Sequence, residues 1–180
     1  PAVYKYFDFI ASNKKSIHWY TVIFEKEYLY SCQSIQTYIK AQDFLFNDYE
    51  IGLAYAKKVN KPILIDFTGF ACVNCRKMEE RVWASPHILG LLNKEIVLIS
   101  LYVDDKRLLP ENEQYTSETT GKRIRSIGNK WSDFQIKEYQ ANAQPYYVLM
   151  SLEEENLNPP IGYTPDIEEY KNWLVEGIGN

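Results

Sequence analysis

Cysteines and long apolar runs are both scarce in this sequence, and each shortage narrows the class of protein. Three cysteines in 180 residues cannot all pair within one chain, so the protein is not a small domain built on a disulfide framework. No apolar run approaches the roughly 20 residues that a membrane-spanning helix needs, and no signal peptide is visible. Because the chain begins with Pro1 rather than Met, we expect it to be a processed or trimmed fragment.

Metal ligands are scarce as well. A structural zinc site takes about four Cys or His ligands. Apart from a Cys-x-x-Cys at positions 72 and 75, the chain offers only Cys32, His18 and His87, without a second cysteine pair. Covalent haem attachment would require His after the Cys-x-x-Cys, but that position is Arg76. We therefore expect no metal or other cofactor.

Positive charge is not in excess either. The formal net charge is −4, which argues against a nucleic-acid partner. Basic residues do cluster at positions 122–125, and we interpret this cluster as solvated surface. Hydrophobic residues make up 46% of the chain and charged residues 24%, a composition typical of soluble globular proteins.

Alternating helix and strand patterns dominate residues 43–180. Continuous apolar runs predict buried strands over 63–67, 96–102 and 146–152. Capping signals predict helices from Asp48 to Val59, from Val73 to about Val82, after Ser85-Pro86, from Trp131 to Tyr139 behind Asn129, and from Asp166 to about Glu176. On the first of these helices, Ile51, Ala54, Tyr55 and Val59 share a face. The alternation favours an α/β fold in which helices cover a mixed sheet.

Two segments do not follow this alternation of helices and strands. Residues 1–42 are predicted to form an extension packed on the core, with two strands around a turn followed by a short helix. Residues 104–142 form an insertion, in which 115–117 and 123–125 are predicted to pair as a hairpin. Cys32 lies in the extension, and we interpret it as a small buried hydrophobic residue.

The Cys-x-x-Cys lies where a predicted strand meets a predicted helix. Helix N–H groups and the helix dipole stabilise a thiolate at that position. Cys72, at the edge of the loop, is predicted to be the exposed attacking thiolate, and Cys75, one turn into the helix, the buried resolving thiol. A structural zinc site and a functionless buried pair are the alternatives.

Three further residues are candidates for the same site. Asp66 interrupts a strand expected to be buried on both faces, so its pKa should rise and it could exchange a proton with a thiol. Glu79 lies one helical turn beyond Cys75 and could raise the thiol pKa values. Alternatively, Asp66 caps a turn or faces solvent, and Glu79 is an exposed helix residue. Pro145 opens a strand, and its peptide bond is expected to be trans on general grounds.

Residues 63–79 read ILIDFTGFACVNCRKME and residues 143–149 read AQPYYVL. These segments resemble the thioredoxin superfamily. The similarity is greatest to the C-terminal, periplasmic thioredoxin-like domain of the thiol:disulfide interchange proteins of the DsbD type, which serve cytochrome c biogenesis, in their Bacteroidetes form. It covers roughly residues 43–178. Many relatives carry Trp directly before the first cysteine where this chain has Ala71, so the substrate-facing surface is expected to differ.

The resemblance implies a fold, a site and partners. Pro145 would be the cis-proline beside the dithiol, and the backbone of Gln144 would pair with a substrate strand. Asp66 and Glu79 would tune the cysteines. The protein would be periplasmic or exported, with a membrane tether possible in a longer chain. It would receive electrons from a transmembrane donor and pass them to oxidised periplasmic proteins. Residues assigned to substrate contact are Phe70, Ala71, Val73, Asn74, Gln144 and Pro145.

We therefore expect a monomeric protein-disulfide reductase in which Cys72 attacks and Cys75 resolves. The same motif also fits a periplasmic disulfide oxidase or isomerase. A third possibility is a non-catalytic binding module in which Cys72 and Cys75 form a structural disulfide.

Overall fold

The computed structural model describes residues 45–179 and has alternating helices and strands. The predictions for residues 1–42, including the buried position of Cys32, lie outside the described residues. The elements run in chain order β1 (Leu45–Phe46), α1 (Tyr49–Val59), β2 (Ile63–Thr68), α2 (Val73–Met78), α3 (Pro86–Lys94), β3 (Val97–Tyr102), β4 (Tyr115–Thr116), β5 (Arg123–Ile124), α4 (Ile127–Tyr139), β6 (Tyr146–Met150) and α5 (Ile167–Ile178).

The central sheet has four strands in the order β1-β3-β2-β6. β1, β2 and β3 run parallel, whereas β6 pairs antiparallel with β2. Every residue of β2 and β3 is buried, as expected of central strands covered on both faces. The predicted α/β fold with a mixed sheet is thus confirmed.

Two apolar clusters lie on the two faces of the sheet. Alternate residues along each strand point to opposite faces, so Leu64 and Leu98 join one cluster while Ile63 and Ile65 join the other. The first cluster receives side chains from α2, α3 and α5, and the second from α1 and α4. Helices therefore cover both faces, and the edge of the sheet where β2 and β3 end is left for the loops that follow them.

The helix that follows β2 changes its winding after six residues. α2 continues directly into a π-helical turn over Glu79–Trp83, in which the N–H of Ala84 donates to the carbonyl of Glu79 at 3.2 Å. Such turns accommodate one additional residue and occur frequently at functional sites. Here the turn buries Glu79, Val82 and Trp83.

Local capping predictions were correct at some helices and wrong at others. Asp48 caps α1 by accepting from the N–H of Ile51 at 3.1 Å, as predicted. α4, however, begins at Ile127 behind Ser126, which accepts from the N–H of Asn129 at 3.2 Å, so the prediction of Asn129 as the cap was wrong. The N–H of Asn129 is already satisfied by the earlier cap, so the helix gains a full turn.

The predicted apolar face of α1 was correct only in part, because Tyr55 and Val59 pack against the core while Ile51 and Ala54 are exposed. Ile51 is 62% exposed, and the buried residues of the helix are Tyr49, Gly52, Leu53 and Ala56. A β-carbon at Gly52 would lie 2.5 Å from the Cδ1 of Ile99, so the helix approaches β3 through its small residues. Close approach, rather than the hydrophobicity of single residues, determines which face is buried.

The insertion forms a hairpin that is tied to the carboxyl end of β3. β4 and β5 pair antiparallel, as predicted. Backbone bonds join Leu109 to Arg125 and Ile127 to Arg107, and the N–H of Gly128 donates to the carbonyl of Asp105 at 2.9 Å. In the part of the chain that the structure describes, no helix is long and apolar enough to cross a membrane.

Gly128 controls how closely α4 approaches the end of β3. A β-carbon there would lie 2.5 Å from the carbonyl oxygen of Val103 and 2.6 Å from the amide nitrogen of Asp105. Because backbone cannot move aside cheaply, we expect Gly128→Ala to lower the free energy of unfolding by about 2 kcal/mol. Gly90→Ala in α3, where nothing lies within 4 Å, should raise it by about 1 kcal/mol. Urea denaturation of both variants distinguishes the two effects, and equal responses would contradict this account.

Candidate functional site

Cys72 and Cys75 form a disulfide at the start of α2. Their Cα atoms are 5.3 Å apart. Cys72 is the N-cap of the helix, and its Sγ accepts from the N–H of Cys75 at 3.1 Å. Cys72 is partly exposed, whereas Cys75 is 1% exposed. The predicted difference in accessibility between the two sulfurs is confirmed, and only Cys72 can be reached from outside without rearrangement.

A carboxylate holds the loop that carries Cys72. Asp104 accepts from the N–H of Phe70 at 2.8 Å and from the N–H of Ala71 at 2.9 Å. The sequence interpretation missed this residue. It follows the end of β3, and because parallel strands end at the same edge of a sheet, a polar residue there is placed to meet the loop after β2. Asp104 therefore fixes the backbone immediately before Cys72.

Arg76 links the same loop to the helix. One guanidinium nitrogen lies 2.8 Å from the Oε1 of Glu79, 3.0 Å from the Oγ1 of Thr68 and 3.4 Å from the carbonyl oxygen of Gly69. Glu79 is 1% exposed, so it is not the exposed helix residue that one alternative proposed. Arg76 thus places a cation beside this buried carboxylate.

Asp66 lies in the middle of β2 and is 1% exposed, which excludes the alternative that it faces solvent. Its Oδ2 accepts from the hydroxyl of Ser100 at 3.1 Å, while its Oδ1 is buried without a hydrogen-bond partner. The pKa of Asp66 is raised to about 8, first by burial and then by the Glu79 carboxylate; Ser100 and Arg76 act in the opposite direction. At neutral pH Asp66 therefore holds a proton that it can give up or take back.

Tyr147 pairs with Asp66 across β2 and β6 and is also buried. Burial raises the pKa of this phenol well above its usual value, and the Asp66 carboxylate raises it further. Tyr147 consequently keeps its proton in the pH range in which Asp66 titrates. Of these two facing side chains, Asp66 is the one that can exchange protons near neutral pH.

The Gln144–Pro145 peptide bond is cis. The expectation from general preference was trans and is wrong; the resemblance implied the cis form. Tyr146 pairs with Phe67, so Pro145 lies at the edge of the sheet where β2 leads into the Cys72 loop.

The buried side chain of Gln135 holds this segment, since its Nε2 donates to the carbonyl of Ala143 at 2.9 Å. Sequence reasoning also missed Gln135, because its partner is a backbone carbonyl in a distant loop.

Exposed, mostly apolar residues flank Cys72 along the chain. Phe70 is 62% exposed and stacks on Tyr102 with ring centroids 4.2 Å apart, and Val73 is 66% exposed. Ala71 and Asn74 are exposed beside them. Within residues 45–179, no group of three or more His, Cys, Asp or Glu side chains could hold a metal ion. Chemically, the arrangement can perform thiol–disulfide exchange at one accessible sulfur.

Comparisons with known proteins support this fold. Residues 44–124 match a family model described as thioredoxin-like. The fold is thioredoxin-like. A solved structure described as "DsbH Oxidoreductase" is similar, with a TM-score of 0.54 and 18% identity over 74% of this chain and 83% of that one.

A second solved structure, a thioredoxin from Thermus thermophilus, aligns with a TM-score of 0.51 and 18% identity over 73% of this chain and 84% of that one. No curated protein matches the chain in sequence. These likenesses support the fold alone. The roles of the individual site residues stay predictions.

Asp66 makes a measurable prediction about stability. In the unfolded chain this carboxyl ionises near pH 4, whereas in the folded chain it keeps its proton up to about pH 8. The folded state therefore binds more protons between these values, so the Asp66 contribution to the free energy of unfolding falls as pH rises through that window. We expect Asp66→Asn to remove this decline, so that its stability relative to the unsubstituted protein rises between pH 4 and pH 8, by up to about 5 kcal/mol.

Urea denaturation of the oxidised protein between pH 4 and pH 9 measures the difference between the two curves. Asp166→Asn is the matched control, because it removes one carboxylate at the exposed N-cap of α5 and replaces it with an equally good cap. A constant difference between Asp66→Asn and the unsubstituted protein across this range would contradict the raised pKa.

Proposed function

We propose that this protein is a thiol:disulfide oxidoreductase that acts as a reductase of protein disulfides. One observation carries the proposal: in a thioredoxin-like fold, the partly exposed Cys72 at a helix N-cap is bonded to the buried Cys75. Exchange needs one accessible sulfur and a second that is shielded from outside thiols but can reach the first. Both conditions are met within one helical turn.

Turnover begins from the reduced dithiol. The Cys72 thiolate attacks one sulfur of a substrate disulfide, which forms a mixed disulfide and releases the other substrate sulfur as a thiolate. Cys75 then loses its proton and attacks the Sγ of Cys72, which expels the second substrate thiolate. Two electrons have passed to the substrate, and Cys72 and Cys75 are left as the disulfide observed here.

Proton transfer in the second step is assigned to Asp66. Cys75 is buried, so its proton cannot leave directly to water. Asp66 has a raised pKa of about 8 because of its burial, close to that of an ordinary thiol. The ionised form of Asp66, a minority at neutral pH, accepts the Cys75 proton, and the similarity of the two pKa values keeps the free-energy cost of the transfer small. Glu79, paired with Arg76, influences the step through its charge.

Substrate contact is assigned to the surface around Cys72. Phe70, Ala71, Val73 and Asn74 provide an exposed and largely apolar surface beside the sulfur. The backbone at Gln144, before Pro145, would pair with an extended substrate segment in the manner of an added strand.

The finer assignment follows from the sequence pattern. Residues 63–79 resemble the periplasmic thioredoxin-like domain of interchange proteins of the DsbD type. On that basis we propose a periplasmic or exported location, membrane-tethered if the chain is part of a longer protein. The electron donor would be a transmembrane protein or domain, and the acceptors would be oxidised periplasmic proteins, including those of cytochrome c biogenesis. The protein would act as a monomer without a bound cofactor.

The two cysteines should respond differently to substitution. Cys72→Ser removes the attacking sulfur, so disulfide reduction should fall to the uncatalysed rate. Cys75→Ser keeps the attack but removes resolution, so a mixed disulfide with a substrate protein should accumulate. Insulin reduction measures the first effect, and non-reducing electrophoresis with mass spectrometry measures the second. Cys32→Ser is the control and should retain full activity; full activity of Cys72→Ser would overturn the proposal.

The direction of electron flow is tested by the reduction potential of the dithiol. A reductase should lie nearer the −270 mV of thioredoxin than the −120 mV of a strongly oxidising dithiol. Equilibration against glutathione and dithiothreitol buffers, with alkylation of free thiols, gives the value. A potential near −120 mV would favour the oxidase. A disulfide that resists these buffers and shows no turnover would favour the binding module.

A further inference from the structure

Gln135 is a polar side chain in an apolar part of α4. It is 0% exposed, and Trp131 and Tyr139, one helical turn before and after it, share its face and pack in the core. The ring centroid of Tyr139 lies 5.8 Å from that of Phe67 and 6.2 Å from that of Tyr146. A buried amide costs free energy unless its polar groups are hydrogen-bonded. The contacts of the Gln135 amide are therefore what distinguishes it from an apolar residue at this position.

Both polar ends of the Gln135 side chain face the segment before the cis-proline. Its Nε2 donates to the carbonyl of Ala143 at 2.9 Å, and its Oε1 lies 3.5 Å from the Nε2 of Gln144. Ala143 is exposed, so water could satisfy its carbonyl as well. Satisfying this carbonyl therefore does not require a buried partner. What the bond from α4 adds is a fixed direction for the carbonyl.

The direction of the Ala143 carbonyl determines the direction of the next N–H. The Ala143 carbonyl and the Gln144 N–H belong to one planar peptide unit, which is trans, since the cis bond is the following one. In a trans unit the two groups point in opposite directions. Because Gln135 holds the carbonyl toward α4, the N–H of Gln144 points away from α4. Among residues 45–179 this N–H has no hydrogen-bond partner, so it can donate to another chain.

We propose that Gln135 is a positioning residue, which orients the N–H of Gln144 to donate to a backbone carbonyl of the substrate protein beside the disulfide that Cys72 attacks. Pro145 has no N–H and cannot supply this bond. This inference rests on the proposed reductase function and adds a substrate class to it. Because the contact is made to backbone, it selects disulfides whose flanking segment can lie extended, whatever its side chains.

The test uses synthetic peptides that carry one disulfide ring. In each variant peptide, one peptide bond near the attacked cysteine is replaced by a trans carbon–carbon double bond, which keeps the shape but neither donates nor accepts. At one position, the unsubstituted protein should reduce the altered peptide with a kcat/KM roughly three- to tenfold lower, the effect of one neutral hydrogen bond. In Gln135→Met, which keeps the volume but loses the amide, the same replacement should matter less than about twofold.

Gln114 offers a matched control. Its Nε2 also donates to a backbone carbonyl, that of Leu109 at 3.0 Å, but within the insertion. Gln114→Met should therefore keep the full difference between the two peptides. If Gln135→Met also keeps it, Gln135 serves the stability of the fold alone and the proposal is wrong. An unsubstituted protein that reduces every altered peptide as well as the parent would overturn it too.

Hydroxyethyl disulfide, which has no peptide backbone, separates this inference from the proposed function. The unsubstituted protein and both glutamine variants should reduce it at rates within about twofold of one another, because neither substitution touches Cys72. If the unsubstituted protein fails to reduce this compound, the reductase function itself is wrong. If it reduces the compound but does not distinguish the peptides, only the role of Gln135 is wrong.

Hydrogen exchange tests the proposal even if Gln135→Met does not fold. When the parent peptide is trapped on Cys72 of Cys75→Ser, the N–H of Gln144 should exchange at least about tenfold more slowly than in free Cys75→Ser. The side-chain amide of Gln135 should exchange slowly in both forms, unlike that of the exposed Gln140. Unchanged exchange at Gln144, or fast exchange at Gln135, would contradict the proposal.

Discussion

The parallel pairing of β2 with β3 is the constraint on which the site depends. Its register places Asp66 beside Ser100 and ends both strands at one edge, with Thr68 next to Tyr102. The loop that carries Cys72 and the residue Asp104 consequently meet without any further element between them. Antiparallel pairing of β6 adds Pro145 to the same edge. A shift of β2 against β3 by one residue would point Asp66 to the other face of the sheet, and a shift of β6 against β2 would do the same to Tyr147.

Two carboxyl groups buried close together cannot both carry a full charge at low cost. In this chain the two carboxyl groups have different surroundings. Glu79 is paired with Arg76, whereas Asp66 has one neutral donor, Ser100, and an oxygen without a partner. The raised pKa of Asp66 follows from this asymmetry and from burial. Under the proposed function, proton exchange falls to Asp66 and a fixed charge to Glu79.

Local sequence patterns were sufficient for much of the fold. Continuous apolar runs identified β2, β3 and β6, since strands covered on both faces need no polar face. The Cys-x-x-Cys and its flanking acidic residues could be found because they are contiguous with β2 and α2. Asp104 and Gln135 could not, because each acts on backbone groups that come near only when the chain is folded. The buried face of α1 was misjudged in part for a related reason: small residues pack closely against β3.

The π-helical turn over Glu79–Trp83 has a consequence for protein engineering. One extra residue is accommodated between the dithiol and the aromatic core around Trp83, so positions before and after the turn differ in phase from those of a regular α-helix. A graft of residues 72–84 onto a scaffold whose active-site helix is α-helical throughout would therefore be displaced by one residue at its far end. Either the cysteines or Trp83 would then face the wrong way, unless the recipient helix were lengthened by one position.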